Sequence, residues 1–140
     1  GYCGQMPPDA MLNVFAAVRG ARDAAFACVR DAVAAGRTLA GYEVDDACRN
    51  VIAAAGYGAA FFHRTGHSLG VKVHYNGVNI DNLETKDERR LVAGICFSVE
   101  PGIYLPGEMA VRSEIDVFIT PSGKVDVTGA MQEELILIDA

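Results

Sequence analysis

Gly56-Tyr57-Gly58-Ala59-Ala60-Phe61-Phe62-His63-Arg64-Thr65-Gly66-His67-Ser68-Leu69-Gly70 is where the chain changes character. Before it, apolar residues recur every three or four positions; after it, they alternate. Upstream, Met11, Val14, Phe15, Val18, Ala21, Ala25, Cys28, Val29 and Ala32 form one helical stripe behind Pro7-Pro8-Asp9. Arg19, Asp23, Arg30 and Asp31 fall on the other faces. Asp9 is expected to cap this helix and Gly36 to follow its end. Val44, Ala47, Cys48, Val51, Ile52 and Ala55 mark a second helix over roughly 42–55, stopped by Gly56-Tyr57-Gly58. The short link makes the two helices antiparallel.

Downstream, Val71 and Val73 alternate with Lys72 and His74, and Asn76-Gly77 reads as a turn. The charged stretch 85–91 predicts a short helix or turn. Segments 95–99, 116–120, 125–127 and 134–138 predict strands, with Pro121-Ser122-Gly123-Lys124 as a turn. Two helices followed by turn-linked strands define an α+β fold, the helices antiparallel and packed on a mostly antiparallel sheet. No repeat, low-complexity tract or linker divides residues 1–140, which read as one domain or as a piece of a larger one.

The 51% hydrophobic content is ample for a core and high enough that some of it is expected to face a missing neighbour. A net charge of -6, with only 12 dispersed Lys and Arg, argues against nucleic acid as a partner. No run of about 18 apolar residues exists, so no membrane span is expected, and with no basic and apolar leader pattern in view no signal peptide is expected. Cys3, Cys28, Cys48 and Cys96 lack CxxC spacing and are read as free thiols, which points to a cytoplasmic location.

Candidate chemistry begins at His67, which lies between Gly66 and Ser68-Leu69-Gly70. His63 stands four residues before it, but Gly66 disfavours a helix there and Arg64-Thr65-Gly66 contains no glutamate, so the helical HExxH zinc motif is absent. Glu100 closes an apolar strand ahead of Pro101-Gly102, and Glu114 stands between Val111 and the apolar run 115–119. Both carboxylates are expected to be desolvated and to need a positive partner. A divalent cation would satisfy both, and Arg112 could satisfy one. One histidine with two carboxylates suits Mn, Co, Fe or Zn, and the hard oxygen ligands favour Mn. A core or turn histidine, a solvated strand-end glutamate and an Arg112 salt bridge account for the same residues without a metal.

Three segments, taken in order, resemble the pita-bread metallopeptidases of the aminopeptidase P and prolidase branch. They are His63-Arg64-Thr65-Gly66-His67-Ser68-Leu69-Gly70 with His74 seven residues beyond His67, then Phe97-Ser98-Val99-Glu100-Pro101-Gly102-Ile103-Tyr104, then Val111-Arg112-Ser113-Glu114. The likeness runs from about residue 8 and corresponds to the C-terminal half of that family's catalytic domain. It implies that His67 and Glu100 ligate one metal of a dinuclear centre and that Glu114 bridges both metals. It implies that His63, His74 and Arg112 line the substrate pocket, the histidines positioning the peptide and stabilising charge on the scissile carbonyl oxygen. The implied reaction is hydrolysis of an X-Pro peptide bond by metal-activated water, with Glu100 also shuttling the proton. The implied partner is a proline-containing peptide.

The same family has two similar catalytic halves, the first ending in a hairpin with two metal-binding aspartates. Residues 1–6 are expected to be the remnant of that hairpin, with Gln5 where the second aspartate stands and Pro7-Pro8 in place of a Thr-Arg pair. The chain alone is therefore expected to lack both aspartates and to bind one ion at most. Three accounts fit: association with a missing N-terminal half, a homodimer exploiting the parent fold's pseudo-twofold symmetry, or a catalytically silent module that binds a peptide or a protein partner.

Overall fold

A computed structural model describes residues 1–139. The elements are β1 (Tyr2–Cys3), α1 (Asp9–Ala34), α2 (Gly41–Ala54), a single 3₁₀ turn (Gly58–Ala60), β2 (Ser68–Leu69), β3 (Cys96–Val99), β4 (Gly102–Leu105), β5 (Met109–Arg112), β6 (Ile115–Ile119), β7 (Val125–Val127) and β8 (Leu137–Ile138). This is the expected α+β class. Strands β2, β3, β6 and β7 form an antiparallel sheet in that order, β4 and β5 form a hairpin, and β1 pairs with β8 in parallel.

Both helices stop in the same way. Beyond α1, Arg37 N–H bonds to Ala32 C=O at 2.8 Å and Gly36 N–H to Val33 C=O at 3.1 Å. Beyond α2, Tyr57 N–H bonds to Ile52 C=O and Gly56 N–H to Ala53 C=O, each at 3.0 Å. These are Schellman ends. At the other end of α1 the expectation fails: Pro8 occupies the cap position and Asp9 is the first helical residue, making no capping bond. Glu43 does cap α2, its carboxylate accepting the Ala40 N–H at 2.7 Å.

The predicted stripes face inward. Val14, Val18, Ala21, Ala25 and Val29 of α1 are buried, as are Val44, Cys48 and Ile52 of α2. Ala55 lies past the helix end and is exposed. Gly20 approaches Val51, while Cys28 lies beside Glu43, so the helices run antiparallel. The longer helix packs on β3, β4, β5 and β7, and α2 packs on α1. Buried Phe97, Val99, Ile103, Ile115, Val117 and Ile119 close the core from the strand side. No helix among the described residues is long and apolar enough to cross a membrane.

Three local expectations are corrected. Val71 and Val73 form no strand but lie in an exposed loop, 88% and 69% accessible, because no neighbouring strand pairs with them. Stretch 85–91 is neither helix nor turn. It runs extended past the start of α2, where its Asp87 and Arg89 carbonyls accept the Tyr42 and Gly41 N–H groups that the first helical turn leaves free. Segment 134–138 contributes strand pairing only at Leu137–Ile138. The sequence reading also missed the β4–β5 hairpin, whose glycine and proline residues masked its alternation.

Close backbone approach fixes one residue type: a Cβ on Gly66 would collide with the Ser98 carbonyl. Gly66→Ala is expected to destabilise the fold by about 1–3 kcal/mol, read as a lower urea midpoint with an unchanged slope. Asp87 supplies a pH dependence. Burial raises its pKa, but the Arg89 guanidinium and the Asn79 and Arg89 backbone N–H groups outweigh burial and hold it below its ordinary 3.8. A carboxyl depressed in the folded state stabilises above its unfolded pKa and loses that contribution as pH falls through the folded value. Asp87→Asn should therefore flatten the acid unfolding limb below pH 3.8 and leave its slope near neutrality unchanged. All four cysteines are free, and burial pushes the Cys48 thiol up to about 12. A thiol reagent at pH about 8 should label exposed Cys3 first and reach Cys48 only in denaturant.

Candidate metal centre

His67 reaches its place because the loop between α2 and β2 is pinned at several points. Asp45, fully buried in α2, accepts Arg49 Nε and Nη2, each at 3.0 Å, the Thr65 N–H at 2.8 Å and the Asn82 N–H at 3.0 Å. Arg49 turns its remaining donors on the same loop, bonding the Phe61 carbonyl at 3.1 Å and the His63 carbonyl at 2.9 Å. Its guanidinium also stacks 4.3 Å from the Phe61 ring centre. Gly66 then bridges Ile80 through paired backbone bonds, and β2 continues against β3.

The β3 strand carries the second donor. Ser98, fully buried, accepts the His67 N–H at 3.0 Å and donates its hydroxyl to Glu100 Oε1 at 2.9 Å. His67 Nε2 lies 3.2 Å from the same Oε1. His67 Nδ1 lies 3.2 Å from the Ser68 carbonyl and Nε2 3.2 Å from the Glu100 carboxylate, so both ring nitrogens face acceptors. The space between Nε2 and that carboxylate oxygen takes a proton or a cation. Two donors at about 2.1 Å from one metal, at right angles, are about 3 Å apart, which is the separation found.

The other expected residues divide. His74 is exposed, and its ring lies 4.1 Å from that of His67. Arg112 is 52% exposed and its Nη1 lies 3.7 Å from Glu100 Oε2, so the salt-bridge account holds for that oxygen. His63 sits apart, its Nε2 2.9 Å from the Tyr104 hydroxyl. Glu114 is exposed, not desolvated as expected: Val99 pairs with buried Ile115, so Glu100 and Glu114 both step to the opposite face, and none of the described residues buries Glu114 there. Among the described residues no group of three or more His, Cys, Asp or Glu side chains converges to hold a metal. The pair His67–Glu100 fits a divalent cation as part of a larger ligand set, not as a complete site.

Sequence reasoning missed Asp45, Arg49 and Ser98. Their signals were present: an Asp and an Arg four apart on a buried helical face, and a serine inside the apolar run Phe97-Ser98-Val99. It also missed Arg22, which is fully buried and donates to Ser113 Oγ at 2.9 Å and to the Gln132 carbonyl at 2.8 Å, tying α1 to the Arg112–Glu114 segment.

Residues 2–121 match metallopeptidase family M24, and the chain belongs to that family. It is 36% identical over 131 residues to an Xaa-Pro dipeptidase of Lactobacillus delbrueckii subsp. lactis, covering 94% of this chain and 33% of that protein. It is 34% identical to a probable dipeptidase of Mycobacterium tuberculosis, with 94% and 32% covered. Among solved structures, the dipeptidase PepE from Mycobacterium ulcerans superposes with a TM-score of 0.82 at 33% identity, covering 99% of this chain and 34% of that one. The prolidase from Thermococcus sibiricus gives a TM-score of 0.80 at 31% identity, with 95% and 33% covered. The fold is therefore the pita-bread fold, and the chain corresponds to the C-terminal half of the catalytic domain. The chain spans between 22% and 38% of the length of the curated relatives it matches. Membership of a metallopeptidase family implies a divalent metal cofactor.

Removing Asp45 would leave Arg49 half-buried without its carboxylate and two backbone N–H groups without acceptors. Asp45→Ala is expected to cost about 3–5 kcal/mol of stability in urea unfolding. A double Asp45→Leu, Arg49→Met variant should recover part of that loss.

Proposed function

We propose that this chain carries half of the centre of a metal-dependent Xaa-Pro peptidase, with His67 and Glu100 as metal ligands and Mn as the metal. The observation that supports this most directly is the 3.2 Å approach of two metal-ligating groups, His67 Nε2 and Glu100 Oε1. The bound metal would supply a water of lowered pKa and a Lewis acid for the scissile carbonyl. Glu100 presents one oxygen to His67 and the other to Arg112, so it can ligate through the first and hold a proton at the second. Glu114 would join the ligand set as the bridging carboxylate, while His74 and Arg112, both exposed beside the pair, would orient a proline-containing peptide. Four free thiols suit a reducing cytoplasm.

The ligands absent from this chain come, on this reading, from a second copy or from the remainder of a longer protein. Exposed Met6, Leu12, Ile136, Leu137 and Ile138 support a covered surface there, since the two-stranded β1–β8 pair leaves its edges open. A catalytically silent peptide-binding module is the second reading. It is favoured by the Arg112–Glu100 ion pair, which supplies a positive charge where a metal otherwise would.

Mn-dependent release of an N-terminal residue from an X-Pro-Y peptide discriminates between them. Where a second copy or the remaining half completes the centre, turnover is measurable and Glu100→Gln lowers it about 100-fold or more, as befits loss of a general base. Peptide binding without turnover favours the silent module. Light scattering at micromolar concentration should give a dimeric mass if a second copy completes the centre, and a monomeric mass excludes that version.

A further inference from the structure

We infer that Tyr104 is a positioning residue that acts through His63, holding the imidazole as its Nδ1–H tautomer with Nε2 as an acceptor. The assignment follows from the two ring nitrogens. His63 Nδ1 lies 2.8 Å from the Arg64 carbonyl, which can only accept, so Nδ1 carries the ring proton. In the neutral ring Nε2 is then a bare lone pair, and the Tyr104 hydroxyl 2.9 Å away is the donor that fills it.

The strand is built to deliver that hydroxyl. Tyr104 follows Gly102 by two residues in β4, on the same face. Its ring folds back over Gly102, where a Cβ would stand 2.7 Å from both Cε2 and the hydroxyl oxygen. Any other residue at 102 would push the ring away from His63. Three aromatic rings hold the imidazole edge-on: Phe61 at 5.0 Å, Tyr104 at 5.4 Å and Phe62 at 6.4 Å between centres.

The same two segments are thus joined twice, by His67 to Glu100 and, four residues further along one and four residues back along the other, by Tyr104 to His63. The second link changes what His63 can do. In this tautomer it has no N–H left for a substrate carbonyl, because its one proton is given to Arg64. The donor role implied for His63 requires either a second ring proton or a different residue. That consequence for catalysis rests on the peptidase reading; the tautomer itself does not.

The test uses the full chain labelled with ¹⁵N-histidine and long-range ¹H–¹⁵N correlation above the titration of the ring, with His63→Gln to assign the signals. Expected are a pyrrole-type Nδ1 and a pyridine-type Nε2 for His63. Tyr104→Phe, which keeps the ring over Gly102, should move Nε2 further toward the free pyridine-type limit while the His67 and His74 signals stay. A pyrrole-type Nε2 in the wild type overturns the inference without recourse to any Tyr104 variant. An Nε2 signal unmoved in Tyr104→Phe also overturns it. Neither reading depends on metal or turnover, so failure of the peptidase proposal and failure of the tautomer are separately visible.

Discussion

The buried Asp45–Arg49 pair is the constraint on which the centre depends. Asp45 has no exposed surface, and its two oxygens accept four N–H groups from α2, the His63–His67 loop and the segment at Asn82. Arg49 returns to the same loop through the Phe61 and His63 carbonyls. A buried ion pair is a poor source of stability compared with apolar residues of the same volume. Its value here is geometric. The loop after α2 has no helix or long strand of its own, and its backbone groups would otherwise be free to choose water. Fixing both ends of that loop to one helical turn is what lets His67 present Nε2 to the carboxylate at the end of β3.

Ser98 completes the arrangement from the sheet. One hydroxyl receives the His67 backbone N–H and donates to Glu100, so the histidine's position and the carboxylate's rotamer are set by the same atom. A hydroxyl shared in this way holds the direction of both side chains, as the proposed metal ligands would require. It also explains why Gly66 cannot carry a side chain, since the Ser98 carbonyl occupies that space.

The helices were legible because their stripes and glycine stops depend on local sequence alone. The central strands β3, β6 and β7 were legible for the same reason. What escaped depended on partners distant in sequence. Val71 and Val73 alternate like a strand yet find no neighbour, and 85–91 is held extended by the free N–H groups of α2. At the centre, His67 and Glu100 lie together, whereas Glu114, opposite Glu100 in register, is exposed on a face that none of the described residues covers. Asp45 and Arg49, four apart in the second helix, went unread, and the fold shows that both bond the loop after it.

The family assignment and the pita-bread fold stand on sequence and structure together; the pair His67 and Glu100, with Arg112 on the far oxygen and Glu114 exposed, is what we propose to be half of a metal centre. Anomalous diffraction from crystals grown with Mn tests this account most directly. It predicts one Mn peak within about 2.1 Å of His67 Nε2 and of Glu100, with the Arg112 guanidinium moved off the carboxylate. No peak at that pair, with Arg112 still on Glu100, would contradict it.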